Sequence, residues 1–422
     1  MTKTKIIEAA YKVLAREFYT NTSLSLVARE LKVCKPALYR HFLSKNALFE
    51  AMTEYFFEDF AAFIRADYEK ALKNEDSNER IFILIRKIAE YYSRKVNIFI
   101  FSMIKLRDRK LESFKTMRKL RERGIDFQYF QQSIKNDYTF QPLIMRLIFS
   151  TLTFFIGYFH KTRKVLIKHE EISLEDTIIS NIINAISEII GKGLNFTGEE
   201  IDSLDYDELE SRICGTIDGT EHDPLLKAVA GAVAEAGPWE ASMEQVARRS
   251  GLSKSSLYCH FKNKQDMLHQ LFMTESMRII DFARRGMEKS TVPCEQLYLG
   301  IFSIVEYLRS RPDILTVFDW IRNRKLFFHH KGKKHHEEMT ESLQIFDEIN
   351  IGRMPGSAGK QVSPWIFFLI VNTLMIRGGH QLFGDVSNNN IRFLYRFLTM
   401  GIGGFEKSEK GEVRSEKLGV RS

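Results

Sequence analysis

The sequence predicts an all-α protein made of two similar units in tandem. Residues 4–49 recur at residues 223–268 with a constant offset of 219 and no insertion. Pro is rare (8 residues) and Phe is frequent (33 residues), a balance that favours helices with bulky interiors. A chain of 422 residues is also too long for one ordinary domain and suits two units of about 200 residues each. We therefore expect the two units to pack as an intramolecular pseudo-dimer.

The first helix of each copy is predicted by its apolar spacing or by its start signal. In copy one, apolar residues three and four positions apart form a single face: Ile6, Ile7, Ala10, Val13, Leu14 and Phe18. In copy two, Asp223 is suited to cap the helix and Pro224 to occupy its first position. Each copy is therefore expected to open with an amphipathic helix.

Three further helices are expected in each copy. A short helix begins near Ser23 or Ser242, and Ser242 forms a capping box with Gln245. Third helices follow from Lys35 and Lys254, and Lys45 and Lys264 open a long fourth helix. Between the second and third helices, copy two has Gly251, which adopts a left-handed backbone at low cost. Copy one has Lys32 there, so we expect its turn to differ in detail.

Two short helices joined by a tight turn indicate a helix-turn-helix, whose second helix lies in the major groove of DNA. Copy one reads VCKPALYRHFLSKNAL over residues 33–48, and copy two reads LSKSSLYCHFKNKQDM over residues 252–267. Each copy resembles the N-terminal DNA-binding domain of the TetR family of bacterial transcriptional regulators. The resemblance implies a three-helix DNA-binding domain followed by a helical body that binds a ligand and dimerises.

The resemblance also implies which side chains touch DNA. Contacts to phosphates or to the groove wall are assigned to Lys35, Tyr39, His41 and Lys45, and to Lys254, Tyr258, His260 and Lys264. Base edges face Pro36, Ala37 and Arg40 in copy one, and Ser255, Ser256 and Cys259 in copy two. Ser23 and Ser242, at the start of the second helices, complete the candidate DNA-binding set.

The two copies differ in charge and in donors. Residues 3–45 include nine basic and three acidic residues, whereas residues 222–264 include six and four. Arg40 is able to donate two hydrogen bonds to a guanine, which Cys259 is not. Cys34 is a poor helix cap where Ser253 is a good one. We therefore expect an asymmetric operator that is bound more tightly on the half-site read by copy one.

Three other interpretations stay open at this point. In the first, two chains pair and together present four recognition units. In the second, copy two is a degenerate interaction module. The third is an enzyme, for which the sequence offers no P-loop, dinucleotide-binding fingerprint, metal-ligand spacing or nucleophile elbow. The main hypothesis is a sequence-specific transcriptional regulator, a ligand-responsive repressor that needs no cofactor.

Beyond each DNA-binding domain, helical apolar spacing predicts a body. In the first body we expect helices at residues 80–95, 96–123, 143–160 and 177–191. In the second we expect helices at residues 295–310, 313–324, 338–350, 363–381 and 389–401. The predicted domains are DNA-binding domains at 1–48 and 223–267, bodies at 49–193 and 268–406, a linker at 194–222 and a charged tail at 407–422. The resemblance implies that the last two helices of each body form a dimer-like interface.

The linker is strongly acidic. Residues 199–223 carry ten acidic residues and one basic residue, between two blocks that are each net basic. Such a composition predicts a solvated linker or a weak helix. Fully extended, its 29 residues would reach about 95 Å.

Aromatic clusters in the bodies are candidates for a ligand pocket, by the same resemblance. The pocket candidates are Phe154, Phe155, Tyr158, Trp320, Trp365 and Phe368, and they favour a small effector that is apolar or compatible with aromatic side chains. Packing in the hydrophobic core is an alternative explanation for aromatic side chains at these positions. The histidines of residues 329–336 are interleaved with lysines and predict a solvated loop, not a metal site.

Two compositional features bear on the compartment. The four cysteines form no CxxC pair, which is typical of cytosolic thiols. The longest apolar runs, of about 12 or 13 residues, are too short to span a bilayer. These features predict a cytoplasmic protein that is nucleoid-associated when bound to DNA and does not interact with membranes.

Overall fold

The structure is a computed structural model that describes residues 2–105, 113–132, 142–162, 176–215, 223–327, 344–348, 362–375 and 386–405. Every regular element in these ranges is a helix, as the sequence predicts. The chain divides into two compact units, Met1–Phe140 with Phe155–Ser187, and Gln141–Phe154 with Glu188–Ser422. The second unit therefore includes parts of both sequence copies.

The helices of the first copy and the connector are α1 (Lys3–Asn21), α2 (Leu24–Glu30), α3 (Lys35–Tyr39), α4 (Lys45–Lys73), α5 (Ser77–Arg94), α6 (Val96–Lys105), α7 (Ser113–Arg121), α8 (Phe127–Gln132), α9 (Pro142–Thr162), α10 (Asp176–Lys192), α11 (Gly198–Asp202) and α12 (Tyr206–Ser211). The stretch predicted as one helix at 96–123 contains α6 and α7, with residues 106–112 outside the described range. The short helix α8 is absent from the sequence-based prediction.

The helices of the second copy are α13 (Pro224–Glu240), α14 (Met243–Ser250), α15 (Lys254–His260), α16 (Lys264–Met287), α17 (Pro293–Ser310), α18 (Pro312–Phe327), α19 (Val362–Leu374) and α20 (Asn388–Met400). Two 3₁₀ turns, Ile345–Glu348 and Gly401–Phe405, accompany them. The helix predicted at 338–350 falls mainly on residues outside the described range, and within that range it is the first of these 3₁₀ turns.

A cluster of a carboxylate, a tyrosine and a basic side chain occurs in both bodies, half-buried at Asp59 and Lys95 in the first and buried at Glu275 in the second. In the first unit, Asp59 accepts hydrogen bonds from the Tyr91 hydroxyl (2.7 Å) and from the Lys95 ammonium (2.6 and 2.7 Å). In the second unit, the Glu275 carboxylate accepts from the Tyr307 hydroxyl at 2.6 Å and lies 3.7 Å from the Arg311 guanidinium.

All three pairs of cluster residues are related by an offset of 216. The offset has therefore changed by three residues, about one helical turn, from the value of 219 in the DNA-binding blocks. Because a shift of one turn keeps a residue on the same helix face, the cluster joins the long helix to the next one in both copies. The repeat thus extends beyond the DNA-binding blocks into the bodies.

His160 is a buried histidine of the first unit. It is 2% exposed, and its Nε2 donates to the Tyr92 carbonyl at 3.1 Å. Its Nδ1 is buried and has no hydrogen-bond partner among the described residues. Burial lowers the pKa of His160 to about 4, although the bond to Tyr92 opposes this shift. The imidazole is therefore neutral in the folded protein at neutral pH.

We expect the first unit to lose about 2 kcal/mol of its free energy of unfolding between pH 6.5 and pH 5. Below pH 6.5 the unfolded chain binds a proton at His160, whereas the folded chain does not until the pH falls toward 4. The contribution of His160 to the free energy of unfolding is thus fully present above pH 6.5 and is lost as the pH falls. Urea titrations of the protein and of His160→Gln at pH 5, 6 and 7 measure this loss. An equal pH slope in both proteins would contradict the assignment.

Of the two predictions for the acidic connector, a solvated linker or a weak helix, the structure agrees with the helix and adds a buried apolar face. The connector forms the short helices α11 and α12, and the Thr197 side chain caps α11 in a capping box with Glu200. Ile201, Leu209 and Ile213 are each 1% exposed or less. The connector is amphipathic, and burial of its apolar face outweighs the solvation of its charges. The 95 Å reach of an extended linker therefore does not apply.

Glu210 is the centre of the connector's contacts within the second unit. This carboxylate is 6% exposed and accepts hydrogen bonds from the Tyr298 hydroxyl (2.5 Å), the Asn388 amide (2.6 Å) and Arg392 Nε (2.8 Å). Burial opposes the charge of Arg392, but its hydrogen bonds to Glu210 and Asp207 prevail and raise its pKa. The acidic residues of the connector thus meet basic partners of the second body.

One helix in the described residues is long and apolar enough to cross a membrane, the stretch Leu143–His160 within α9. The apolar run predicted in this region, of about 12 or 13 residues, is shorter than this stretch of 18 residues. Since 67% of the stretch is buried inside the protein, the helix has the character of a core helix.

The cysteines are free, as the sequence predicts. Cys34, Cys214 and Cys259 are exposed and Cys294 is buried. Among the described residues, no group of three or more His, Cys, Asp or Glu is placed to hold a metal ion. The histidines of residues 329–336 and the tail at 407–422 lie outside the described residues.

Candidate DNA-binding site

The core of each helix-turn-helix consists of residues that the sequence assigned to packing. Leu38 and Leu257 are 0% exposed, and Phe42 and Phe261 are 5% and 2% exposed. The second helices begin as predicted: the Ser23 hydroxyl accepts from the Leu26 amide at 3.3 Å, and Ser242 forms its capping box with Gln245. The caps fix where α2 and α14 start, and the buried leucines and phenylalanines anchor the third helices.

The turn between the second and third helices shares its main features in the two copies. Lys32 has φ 55° and Gly251 has φ 71°, both left-handed. The next amide in each copy donates back to the equivalent alanine carbonyl, Val33 to Ala28 at 3.0 Å and Leu252 to Ala247 at 3.1 Å. The turns differ in detail, as expected, because the Lys32 amide donates to the Arg29 carbonyl whereas the Gly251 amide donates to the Ala247 carbonyl. Copy one bears the steric cost of a left-handed lysine.

Replacing Lys32 with Gly is expected to raise the free energy of unfolding of the first unit by about 1 kcal/mol, because the left-handed strain disappears. Gly251→Lys is the matched control and is expected to lower that of the second unit by about 1 kcal/mol. No atom lies within 4 Å of the position a Cβ would take at Gly251, so only the backbone is strained. Urea denaturation measures both changes. Two shifts of the same sign would contradict the shared turn.

The recognition helix of copy one, α3, exposes most of its candidate residues. Lys35, Pro36 and Arg40 are exposed, while Ala37 and His41 are half-buried. Tyr39 is 40% exposed, too much for a side chain whose purpose is core packing. The Lys35 ammonium lies 5.8 Å from the centre of the Tyr39 ring, which places a cation and a hydroxyl side by side.

The recognition helix of copy two, α15, exposes more of its candidate residues than α3 does. Lys254, Ser255, Ser256 and His260 are exposed, and Tyr258 is 49% exposed. The helix caps of the two copies differ as expected. The Ser253 hydroxyl accepts from the Ser256 amide at 3.1 Å, whereas Cys34 makes no side-chain cap. Both helices begin at equivalent residues, and α15, with seven residues, extends further at its C-terminal end than α3, with five.

Lys45 and Lys264 stand at the first positions of the long helices α4 and α16. Both side chains are half-buried, and burial lowers the pKa of each ammonium. The Lys45 ammonium lies 5.6 Å from the centre of the Phe49 ring. A basic side chain at a helix N-terminus adds to the positive end of the helix dipole, an arrangement that attracts phosphate.

Glu244 is a neighbour of the recognition helix that the sequence analysis missed. Its carboxylate lies 2.5 Å from the Lys254 ammonium, and hydrogen bonding between the two raises the pKa of Lys254 and lowers that of Glu244. At an offset of 219, the equivalent residue of copy one is Ser25. The alignment of the two copies carried this signal, since only one copy has an acid there.

Another ion pair keeps its position in both copies but exchanges its charges. In copy one, Arg16 of α1 contacts Glu30 of α2 at 3.0 Å. In copy two, Glu235 of α13 contacts Arg249 of α14, and these residues are the equivalents of Arg16 and Glu30. Both pairs are partly exposed and contribute less than about 1 kcal/mol. The contact between the first two helices has thus been retained while the sequences diverged.

The pocket candidates lie in the bodies. Phe154, Phe155, Trp365 and Phe368 are buried, and Tyr158 is half-buried. The Trp320 side chain lies outside the described residues. Within the second unit, Trp365 Nε1 donates to the Thr151 hydroxyl at 3.2 Å, and the Phe154 and Phe368 rings are 5.4 Å apart. These contacts join a helix of the first copy to a helix of the second.

Comparison with known proteins defines the class of the DNA-binding blocks. The family model of the bacterial regulatory proteins of the tetR family matches twice, at residues 6–52 and 225–271. Both matches cover the helix-turn-helix. The chain therefore carries two helix-turn-helix DNA-binding domains. They are TetR-type domains, and the protein contains two TetR-like units in tandem.

Curated relatives match over short stretches. The uncharacterized HTH-type transcriptional regulator YuxN of Bacillus subtilis is 42% identical over 53 residues, which are 13% of this chain and 18% of YuxN. The uncharacterized HTH-type transcriptional regulator YhgD of the same organism is 24% identical over 94 residues, 22% of this chain and 49% of YhgD. The matched part therefore spans at most about half the length of these relatives.

Two solved structures are also similar. The fatty acid degradation regulator FadR from Bacillus halodurans is 18% identical, with a TM-score of 0.34, and the match covers 42% of this chain and 97% of that protein. FadR from Bacillus subtilis, solved in complex with stearoyl-CoA, is 18% identical, with a TM-score of 0.33, and the match covers 41% and 96%.

Proposed function

We propose that the protein is a sequence-specific, DNA-binding transcriptional regulator. The observation that carries this proposal is the pair of recognition helices, α3 and α15, which expose Tyr39 and Tyr258 beside Lys35 and Lys254. Exposed lysines and tyrosines on a helix-turn-helix position the protein on phosphates, and the neighbouring residues read base edges. The two matches to the tetR family model support the same function.

The operator is asymmetric, and a single chain occupies it through both recognition helices. Copy one carries Arg40, a bidentate donor for guanine, where copy two carries Cys259. Contacts between helices of both copies inside the second unit, such as Trp365 with Thr151, support an intramolecular pseudo-dimer. One covalent chain then replaces two subunits, so its assembly does not depend on concentration.

The regulator is a repressor that a small effector releases from DNA. The effector is apolar or aromatic-compatible and binds in a body. The buried aromatic residues on α9 and α19 support this proposal, as do Asn372 and Thr373 on α19. Their side chains contain buried polar atoms that make no hydrogen bond to any residue that the structure describes. Binding shifts a two-state equilibrium between different spacings of the recognition helices. The protein acts in the cytoplasm, associated with the nucleoid when bound to DNA.

Selection of bound duplexes from a random DNA pool tests this function. The expected result is one enriched site made of two dissimilar half-sites, about one helical turn (~34–36 Å) apart. Failure to enrich any sequence at low salt would overturn the proposal. Repeating the selection without residues 224–268 separates the main interpretation from that of a degenerate second copy, because a degenerate copy leaves the enriched site unchanged.

A further inference from the structure

Glu244 is oriented toward the recognition helix of copy two. Gln245, the next residue, forms the capping box with Ser242, so the cap of α14 does not occupy the Glu244 carboxylate. That carboxylate instead contacts the ammonium of Lys254, the first residue of α15, at 2.5 Å. Both side chains are more than half exposed, at 66% and 52%. The lysine assigned to a DNA phosphate is therefore already paired with an anion.

Copy one lacks this arrangement. Ser25 occupies the position equivalent to Glu244, and the Lys35 ammonium lies near the Tyr39 ring. Stability of the fold does not require the pair, because an exposed ion pair contributes little and copy one forms its helix-turn-helix with Ser25 at this position. The difference between the copies thus lies on the surface that approaches DNA.

We propose that Glu244 is a specificity-determining residue that masks Lys254, so that copy two engages its half-site only after copy one has bound. The inference rests on the proposed function. To contact a phosphate, Lys254 must leave the carboxylate, which itself is repelled by the DNA backbone. Because phosphate contacts supply nearly all non-specific affinity, copy two binds DNA weakly on its own. Once copy one is bound, the high effective concentration of the tethered second copy compensates for the weakness.

Exchanging the residues at the two equivalent positions, Glu244 and Ser25, tests the proposal on the full chain. The probes are the selected operator and two derivatives in which one half-site is scrambled. Glu244→Ser is expected to bind the duplex that retains only the second half-site about tenfold more tightly, and to steepen the salt dependence by about one phosphate contact. Ser25→Glu is expected to weaken binding to the first half-site by a similar factor, because it creates the same mask over Lys35.

A double-mutant cycle separates masking from a structural effect. In the background of Lys254→Met, Glu244→Ser is expected to lose most of its gain, since no ammonium is left to unmask. Wild-type binding to the intact operator verifies the proposed function independently. If the wild type binds that operator but Glu244→Ser leaves affinity for the second half-site unchanged, the masking role is wrong and the proposed function stands. If Glu244→Ser still raises the affinity in the Lys254→Met background, the masking role is also wrong.

Discussion

Replacing Tyr39 with Phe and Lys45 with Met is expected to weaken operator binding about 100-fold, through the loss of roughly two phosphate contacts of about 1.4 kcal/mol each. Both substitutions keep the size of the side chain, so the packing around α3 and α4 is retained. The equivalent changes in copy two, Tyr258→Phe with Lys264→Met, are expected to weaken binding only about tenfold. Copy two is less basic, and Glu244 already pairs its recognition-helix lysine.

Fluorescence anisotropy at low salt measures these affinities on one duplex. Far-UV circular dichroism of both double variants checks that the helices remain intact. Equal losses in the two variants would contradict the inequality of the copies. No loss in either variant would contradict the assignment of these four residues to DNA.

Removing the Glu210 carboxylate is expected to have the second large effect, a loss of stability. Glu210→Ala leaves the guanidinium of Arg392, which is 8% exposed, without its buried partner. Breaking a buried pair in this way costs about 3–5 kcal/mol. The buried Tyr298 hydroxyl also loses its acceptor. The second unit is therefore expected to become much less stable, and the connector helices to leave its surface.

Asp207→Asn is the matched control, since Asp207 contacts the same guanidinium at 2.5 Å but its side chain is 87% exposed. It is expected to cost less than about 1 kcal/mol. Urea denaturation measures both free energies of unfolding. A combined Glu210→Gln and Arg392→Met variant is expected to recover much of the loss, because no charge remains buried. Equal effects of Glu210→Ala and Asp207→Asn would show that the carboxylate does not anchor the connector.

Local sequence signals predicted the DNA-binding blocks well. Apolar spacing, the Ser242 capping box and the starts of the third and fourth helices all depend on neighbouring residues, and the structure contains each of them. The left-handed backbone of Lys32 was not predicted, because the preference of this conformation for glycine is a local rule. In the structure, the packing of α2 and α3 imposes a left-handed backbone on a lysine.

The burial of the connector was not predicted, because it depends on residues far away along the chain. Its composition is that of a solvated segment, and the partners that bury Glu210 are about 90 to 180 residues away along the chain. No local pattern reports such contacts. Glu244 was missed because residue differences between the copies were weighed only on the third helix and its cap, whereas Glu244 lies on α14. The cluster of Asp59, Tyr91 and Lys95 was hidden by the three-residue change of offset.

The proposed function requires one chain to read one asymmetric operator through two unequal recognition helices. Sedimentation velocity on the selected duplex measures how many chains it binds. We expect one chain per duplex, with both dissimilar half-sites protected from cleavage. Two chains on a perfect palindrome would contradict it.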